Sequence, residues 1–96
     1  MSPAPPRFYY IYLLKSQKRD WTYIGVTIDL KRRIEQHLSG KSYTTRKYLP
    51  VELVYYEAYR SLSDANNREK SLKQHGGALR QLKKRIKQSL IKGGAG

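Results

Sequence analysis

A chain of 96 residues has room for one modest core and little more. It contains no cysteine, which excludes a disulfide framework and a thiolate metal site. No apolar run reaches the roughly 18 residues that a membrane span needs. Twenty Lys and Arg against seven Asp and Glu give a formal charge of +13. A field of that size attracts polyanions, and nucleic acid is the commonest of them. Anionic membranes and acidic proteins are the other classes left open, and a solvated basic surface is the plainest reading. The aromatic content favours a folded reader of nucleic acid over a basic tail.

Residues 1–7, beginning Met1-Ser2-Pro3-Ala4-Pro5-Pro6, lack the charged and apolar regions of a signal peptide and read as a flexible arm. A soluble, cytoplasmic protein is expected. Phe8 to Lys15 reads as a strand with apolar groups at both parities, so both of its faces need cover. Phe8, Tyr10, Tyr12 and Leu14 point one way, and Tyr9, Ile11 and Leu13 the other. After a polar connection, Trp21 to Thr27 forms a second strand. A hairpin centred near Gln17-Lys18 would set Tyr12 opposite Tyr23. Thr27 or Asp29 caps a helix running to about Ser39 and ended by Gly40. A basic, hydroxyl-rich loop, Lys41 to Leu49, leads through Pro50 into a third strand, Val51 to Tyr59. Ser61 or Ser63 then caps a helix from about Asp64 to Gln74, broken by Gly76-Gly77. Ala78 to about Ile91 forms the last helix, with Leu79, Leu82, Ile86 and Leu90 inward. Residues 93–96 are a loose end. The expected architecture is a single α/β (α+β) domain over 8–92. It is a small three-stranded, mainly antiparallel sheet flanked by helices, in the order ββαβαα.

Two helices carry polar groups that packing alone does not explain. On the first, Leu30, Ile34 and Leu38 define the core stripe. Arg33 lies roughly 100° from its centre and His37 roughly 60°, on the same side and one turn apart. Arg32 lies roughly 160° away and should face solvent. The plainer alternative is an arginine that snorkels beside an ordinary boundary histidine. On the second helix, Glu69 falls on the inward face between Ala65 and Leu72. A carboxylate there needs a cation, a proton or several donors, so Glu69 either forms a structural ion pair or binds a metal. A lone carboxylate suits Mg²⁺ that keeps most of its waters. Nine tyrosines are unusual for this length, although most are good strand residues. A phenol whose pKa is lowered by Arg and a metal ion could activate water.

These residues resemble the GIY-YIG nuclease family. Tyr10-Ile11-Tyr12 stands for the first tripeptide and Tyr23-Ile24-Gly25 for the second, with Arg33, His37 and Glu69 following in order between Phe8 and Lys73. The small stand-alone bacterial members and the catalytic domain of Slx-type structure-specific nucleases are the most similar branch. That branch has a basic loop, here Thr45-Arg46, before a strand that reads Pro50-Val51-Glu52-Leu53-Val54-Tyr55. In two places the chain departs from the pattern. Tyr10 replaces the first glycine, and a later asparagine has only Gln81 as a candidate counterpart.

The resemblance implies an endonuclease hydrolysing DNA phosphodiesters with one Mg²⁺ or Mn²⁺ ion, in repair or recombination, on duplex or branched DNA. Glu69 would hold the metal, Tyr12 or Tyr23 would activate water, His37 would relay the proton and Arg33 would steady the phosphate. Gly25 would let backbone approach substrate. Tyr10, Lys31, Arg32, Arg46 and Lys47 would hold the flanking strands. The rival readings are a basic nucleic-acid-binding module without chemistry and a ribosome-associated structural protein.

Overall fold

The computed structural model describes residues 7–74 and 76–92. The expected arms at 1–7 and 93–96 therefore lie outside the described residues, Arg7 excepted. Strands β1 (Tyr9–Ser16), β2 (Thr22–Thr27) and β3 (Val51–Tyr59) form one antiparallel sheet in the order β2-β1-β3. The first strand is thus central, which explains its apolar residues at both parities. Ile11, Tyr12, Leu13 and Leu14 are each at most 1% exposed. Burying an aliphatic side chain so fully contributes roughly 1.5–3 kcal/mol.

Helix α1 (Leu30–Leu38) covers one face, where Tyr12, Leu14 and Val51 meet Leu30 and Ile34. Helices α2 (Leu62–Lys73), α3 (Ala78–Arg85) and α4 (Lys87–Lys92) belong to the other face. There Ile11, Leu13 and Ile24 pack with Ala65, Leu72 and Leu82, and with Leu79, Ile86 and Leu90 around them. The order ββαβαα holds, with the last helix interrupted at Ile86, whose backbone leaves the helical region (φ −106°, ψ 30°). A register shift between Leu13 and Leu14 leaves an extra residue on β3. As a result, successive residues Val54 and Tyr55 both pack on the α2 side.

Three expectations need correction. The hairpin register is two residues later than expected, so Tyr12 pairs with Gly25 and Tyr23 with Leu14. Buried Ser16 sets this turn: its hydroxyl accepts from the Lys18 and Arg19 amides at 3.1 and 3.2 Å and donates to the Tyr48 carbonyl at 2.7 Å. A two-residue slip preserves parity, so both tyrosines still share the α1 face. Helix α2 starts two residues early because Ser61 is its cap, accepting from the Asp64 amide at 3.4 Å. Leu38 is 51% exposed and lies outside the core, its place in the α1 stripe being taken by fully buried His37.

Candidate active site

The site forms where α1 crosses the β1–β2 hairpin. Asp29 fixes the start of α1 by accepting from the Arg32 amide at 3.1 Å. That cap sets the helix phase, placing His37 in the core, Arg33 half-buried beside it and Arg32 in solvent. The separation of the two arginines is the one expected from helical geometry. Tyr12 rises from the central strand and leans over Gly25. A Cβ on that glycine would stand 2.3 Å from the ring's Cζ and hydroxyl oxygen. The glycine is therefore required by the Tyr12 ring, a reason the sequence did not suggest.

A buried chain of polar groups follows. The Tyr12 hydroxyl lies 2.8 Å from His37 Nε2, and His37 Nδ1 lies 2.8 Å from Thr45 Oγ1. All three side chains are at most 1% exposed. Thr45 Oγ1 has no other side-chain partner among the described residues. Each hydroxyl can donate or accept, so the direction of the chain follows the imidazole tautomer. Burial, reinforced by the Arg33 charge, lowers the His37 pKa to about 4. The imidazole is neutral at physiological pH.

Arg33 directs Nη1 to Gln36 Oε1 at 2.9 Å. Its guanidinium is coupled first to Tyr12 and then to Tyr23, which together hold its proton more firmly. Tyr23 stands against the cluster, its ring centroid 5.3 Å from His37 and 6.2 Å from Tyr12. Burial raises the Tyr12 pKa, and the Arg33 cation offsets only part of that rise. The phenol-lowering expected from a neighbouring arginine is thus outweighed by desolvation.

Glu69 lies on α2, on the opposite face, and is the least of the influences on the Tyr12 phenol, after burial, Arg33 and Tyr23. Its side chain is 27% exposed and pairs with Lys73 at 3.1 Å. Lys73 is itself 52% exposed, so the pair is worth at most about 1 kcal/mol. No three His, Asp or Glu side chains converge among the described residues. The donor set therefore fits a hard, largely hydrated cation on one carboxylate and does not fit a protein-enclosed metal.

The remaining expected residues are dispersed. Tyr10 and Lys31 line a separate recess with Leu30, Ile34 and Leu53, and Arg32 lines another with Gln36 and Lys41. Arg46 and Lys47 border a third, beside Trp21 and Tyr48. Gln81 lines a recess with Arg68 and Arg85. Sequence reasoning missed Thr45 as a site residue, since a loop has no periodicity to mark a buried hydroxyl. It also missed the bond between Arg68 and Glu57, a bidentate pair at about 3.0 Å that receives the Tyr55 and Tyr59 hydroxyls. Burial works to raise the Glu57 pKa, but these partners outweigh it and hold the carboxyl low.

A phenol, a neutral imidazole and a cation held by Gln36 thus stand together at this end of α1. Residues 8–85 match the GIY-YIG catalytic domain, and the chain belongs to that family of nucleases, whose substrate is nucleic acid. It is 40% identical over 65 residues to a UPF0213 protein of Streptococcus pneumoniae, covering 67% of this chain and 65% of that protein. A UPF0213 protein of Streptococcus agalactiae is 43% identical over 67 residues, covering 68% of this chain and 74% of its own. The solution NMR structure of the UPF0213 protein BH0048 from Bacillus halodurans is similar with a TM-score of 0.50 and 32% identity. That match covers 92% of this chain and 88% of that one. No helix among the described residues is long and apolar enough to cross a membrane.

Proposed function

We propose that the protein is an endonuclease that hydrolyses DNA phosphodiesters with one Mg²⁺ or Mn²⁺ ion on Glu69, on duplex or branched DNA arising in repair or recombination. The observation that supports it most is convergence at the Tyr12 hydroxyl, which is buried, bonded to neutral His37 and within the field of both Arg33 and Glu69. When bound, the ion would neutralise charge on the phosphate and the leaving oxygen. Glu69 makes a minor contribution to the raised Tyr12 pKa, and a divalent ion held on its carboxylate would offset it. The His37 tautomer that donates from Nε2 would favour the phenolate over the phenol. Once its own proton has passed to solvent, the Tyr12 phenolate would accept a proton from the attacking water, with Tyr23 beside it to orient that water. Arg33, already held by Gln36, meets the phosphate without reorganising. Lys31, Arg32, Arg46 and Lys47 hold flanking strands, and Tyr10 and Gly25 support the hairpin that presents Tyr12.

The Glu69–Lys73 pair favours a second reading, in which the carboxylate is structural and the domain only binds. A Mg²⁺ titration with labelled duplex, flap and branched DNA separates the two. Wild type should cleave, and Glu69→Gln should bind DNA within a few-fold yet not cleave. Normal cleavage by the variant would end the metal assignment, and loss of its circular dichroism signal would make Glu69 a structural partner.

A further inference from the structure

The recess of about 540 Å³ beside the catalytic cluster is lined by Trp21, Tyr43, Thr44, Arg46, Lys47 and Tyr48. Trp21 and Tyr48 stack with ring centroids 3.7 Å apart and planes within 6°. Trp21 also stacks on Tyr23, at 6.1 Å and 29°, and Tyr23 leads to Tyr12 at 6.2 Å. A ladder of aromatic rings thus runs from the recess to the buried phenol. Tyr43 is 79% exposed, with the Arg46 guanidinium 4.8 Å from its ring centroid. Arg19 and Lys47 stand 5.4 and 5.5 Å from the Tyr48 centroid. No carboxylate lines the recess. The loop is also firmly seated: Thr45 is fully buried on His37, Ser42 is buried, and the Tyr48 carbonyl is bonded to Ser16.

A seated loop has little structural reason to present a large aromatic ring to water beside a guanidinium. We propose that this recess takes an unpaired nucleotide, its base stacking on Tyr43 and its phosphates meeting Arg46, Lys47 and Arg19. Paired bases have their faces covered by their neighbours, so only an unstacked base offers a flat surface to a tyrosine. The substrate class is then nucleic acid with a single-stranded segment next to the scissile bond. That last placement rests on the nuclease reading, whereas the binding itself does not.

Trp21 is the sole tryptophan and reports on the recess directly. The full chain carrying Glu69→Gln would be titrated with a short thymidine oligonucleotide, a duplex of equal length and poly-glutamate. The oligonucleotide should quench Trp21, and adding Tyr43→Ala should weaken its binding about tenfold, the scale for losing one base stack. Duplex binding should change little, and Tyr43→Phe, which keeps the ring, should bind as the parent does. Equal losses on single strand and duplex, or no quenching by the oligonucleotide, would overturn the proposal. Tighter quenching by poly-glutamate would assign the recess to an acidic peptide and overturn it as well. Quenching with the predicted Tyr43 dependence, in a wild type that cleaves nothing, would uphold the recess and remove only the nuclease reading.

Discussion

His37 should make the protein acid-labile in a way that one substitution removes. The ring has an ordinary pKa of 6.5 when unfolded and about 4 in the native state. Above 6.5 both states are neutral and the full stabilisation is present. As pH falls from 6.5 toward 4, the unfolded chain binds a proton that the native state refuses, so stability drops. Below 4 both states are protonated and the contribution is gone. A shift of this size corresponds to about 3 kcal/mol, a large part of the 5–15 kcal/mol available to a small domain. Urea unfolding followed by Trp21 fluorescence, at neutral pH and near pH 4, measures the loss. Comparison with His37→Gln isolates the histidine, because Glu57 and the other carboxylates titrate alike in both proteins. Wild type should lose about 3 kcal/mol more than the variant over that interval. An imidazole titrating near 6.5 by NMR, or parallel losses in the two proteins, would refute the burial argument. Arg33→Ala should raise the His37 pKa, since the guanidinium is the second cause of its depression.

Adjacent arginines should behave differently: Arg33→Ala should cut DNA cleavage roughly a hundredfold. Arg32→Ala, whose side chain is exposed, should chiefly weaken binding and flatten its salt dependence, as a filter-binding series would report. Tyr12→Phe should lower the cleavage rate at least tenfold, since the lost hydroxyl is the His37 partner. Tyr9→Phe, on the opposite face of β1, should be silent in the same gel assay. Gly25→Ala forces the Tyr12 ring off His37 and should cost about 1–3 kcal/mol in urea unfolding, along with most of the activity. An unaltered Tyr12–His37 bond in that variant would mean the hairpin has room that the packing denies.

The strands were legible because β1 and β3 alternate with apolar groups at both parities, which only a covered central strand or a bulged neighbour requires. The helix stripe was misread at one position for a definite reason. Periodicity ranks residues by hydrophobicity and so selects Leu38, whereas His37 is buried because two hydrogen bonds offset its desolvation. Those partners are 25 and 8 residues away in the chain, and no local pattern contains them. The interruption at Ile86 was equally invisible, because Leu79, Leu82, Ile86 and Leu90 keep their apolar spacing across it. Arg33, Arg32 and Glu69 were separable from sequence because each argument needed only the angle between residues on one helix.

That angle also connects the two ionic groups of α2. Arg68 and Glu69 are successive, about 100° apart around the helix. Arg68 is clamped to Glu57 on β3, one edge of the sheet. Glu57 is only 14% exposed and accepts from two tyrosines besides, so the clamp resists rotation far more than the exposed Lys73 pair can. With Arg68 fixed on β3, Glu69 is turned away from that contact. The Tyr12 ring leans over Gly25, toward the β2 edge. The proposed site would therefore draw on both faces of one sheet. Asp29 and His37 fix α1 and its arginine above, and Glu57 fixes α2 and its carboxylate below. The small residue at Gly25 is what lets the phenol stand between them.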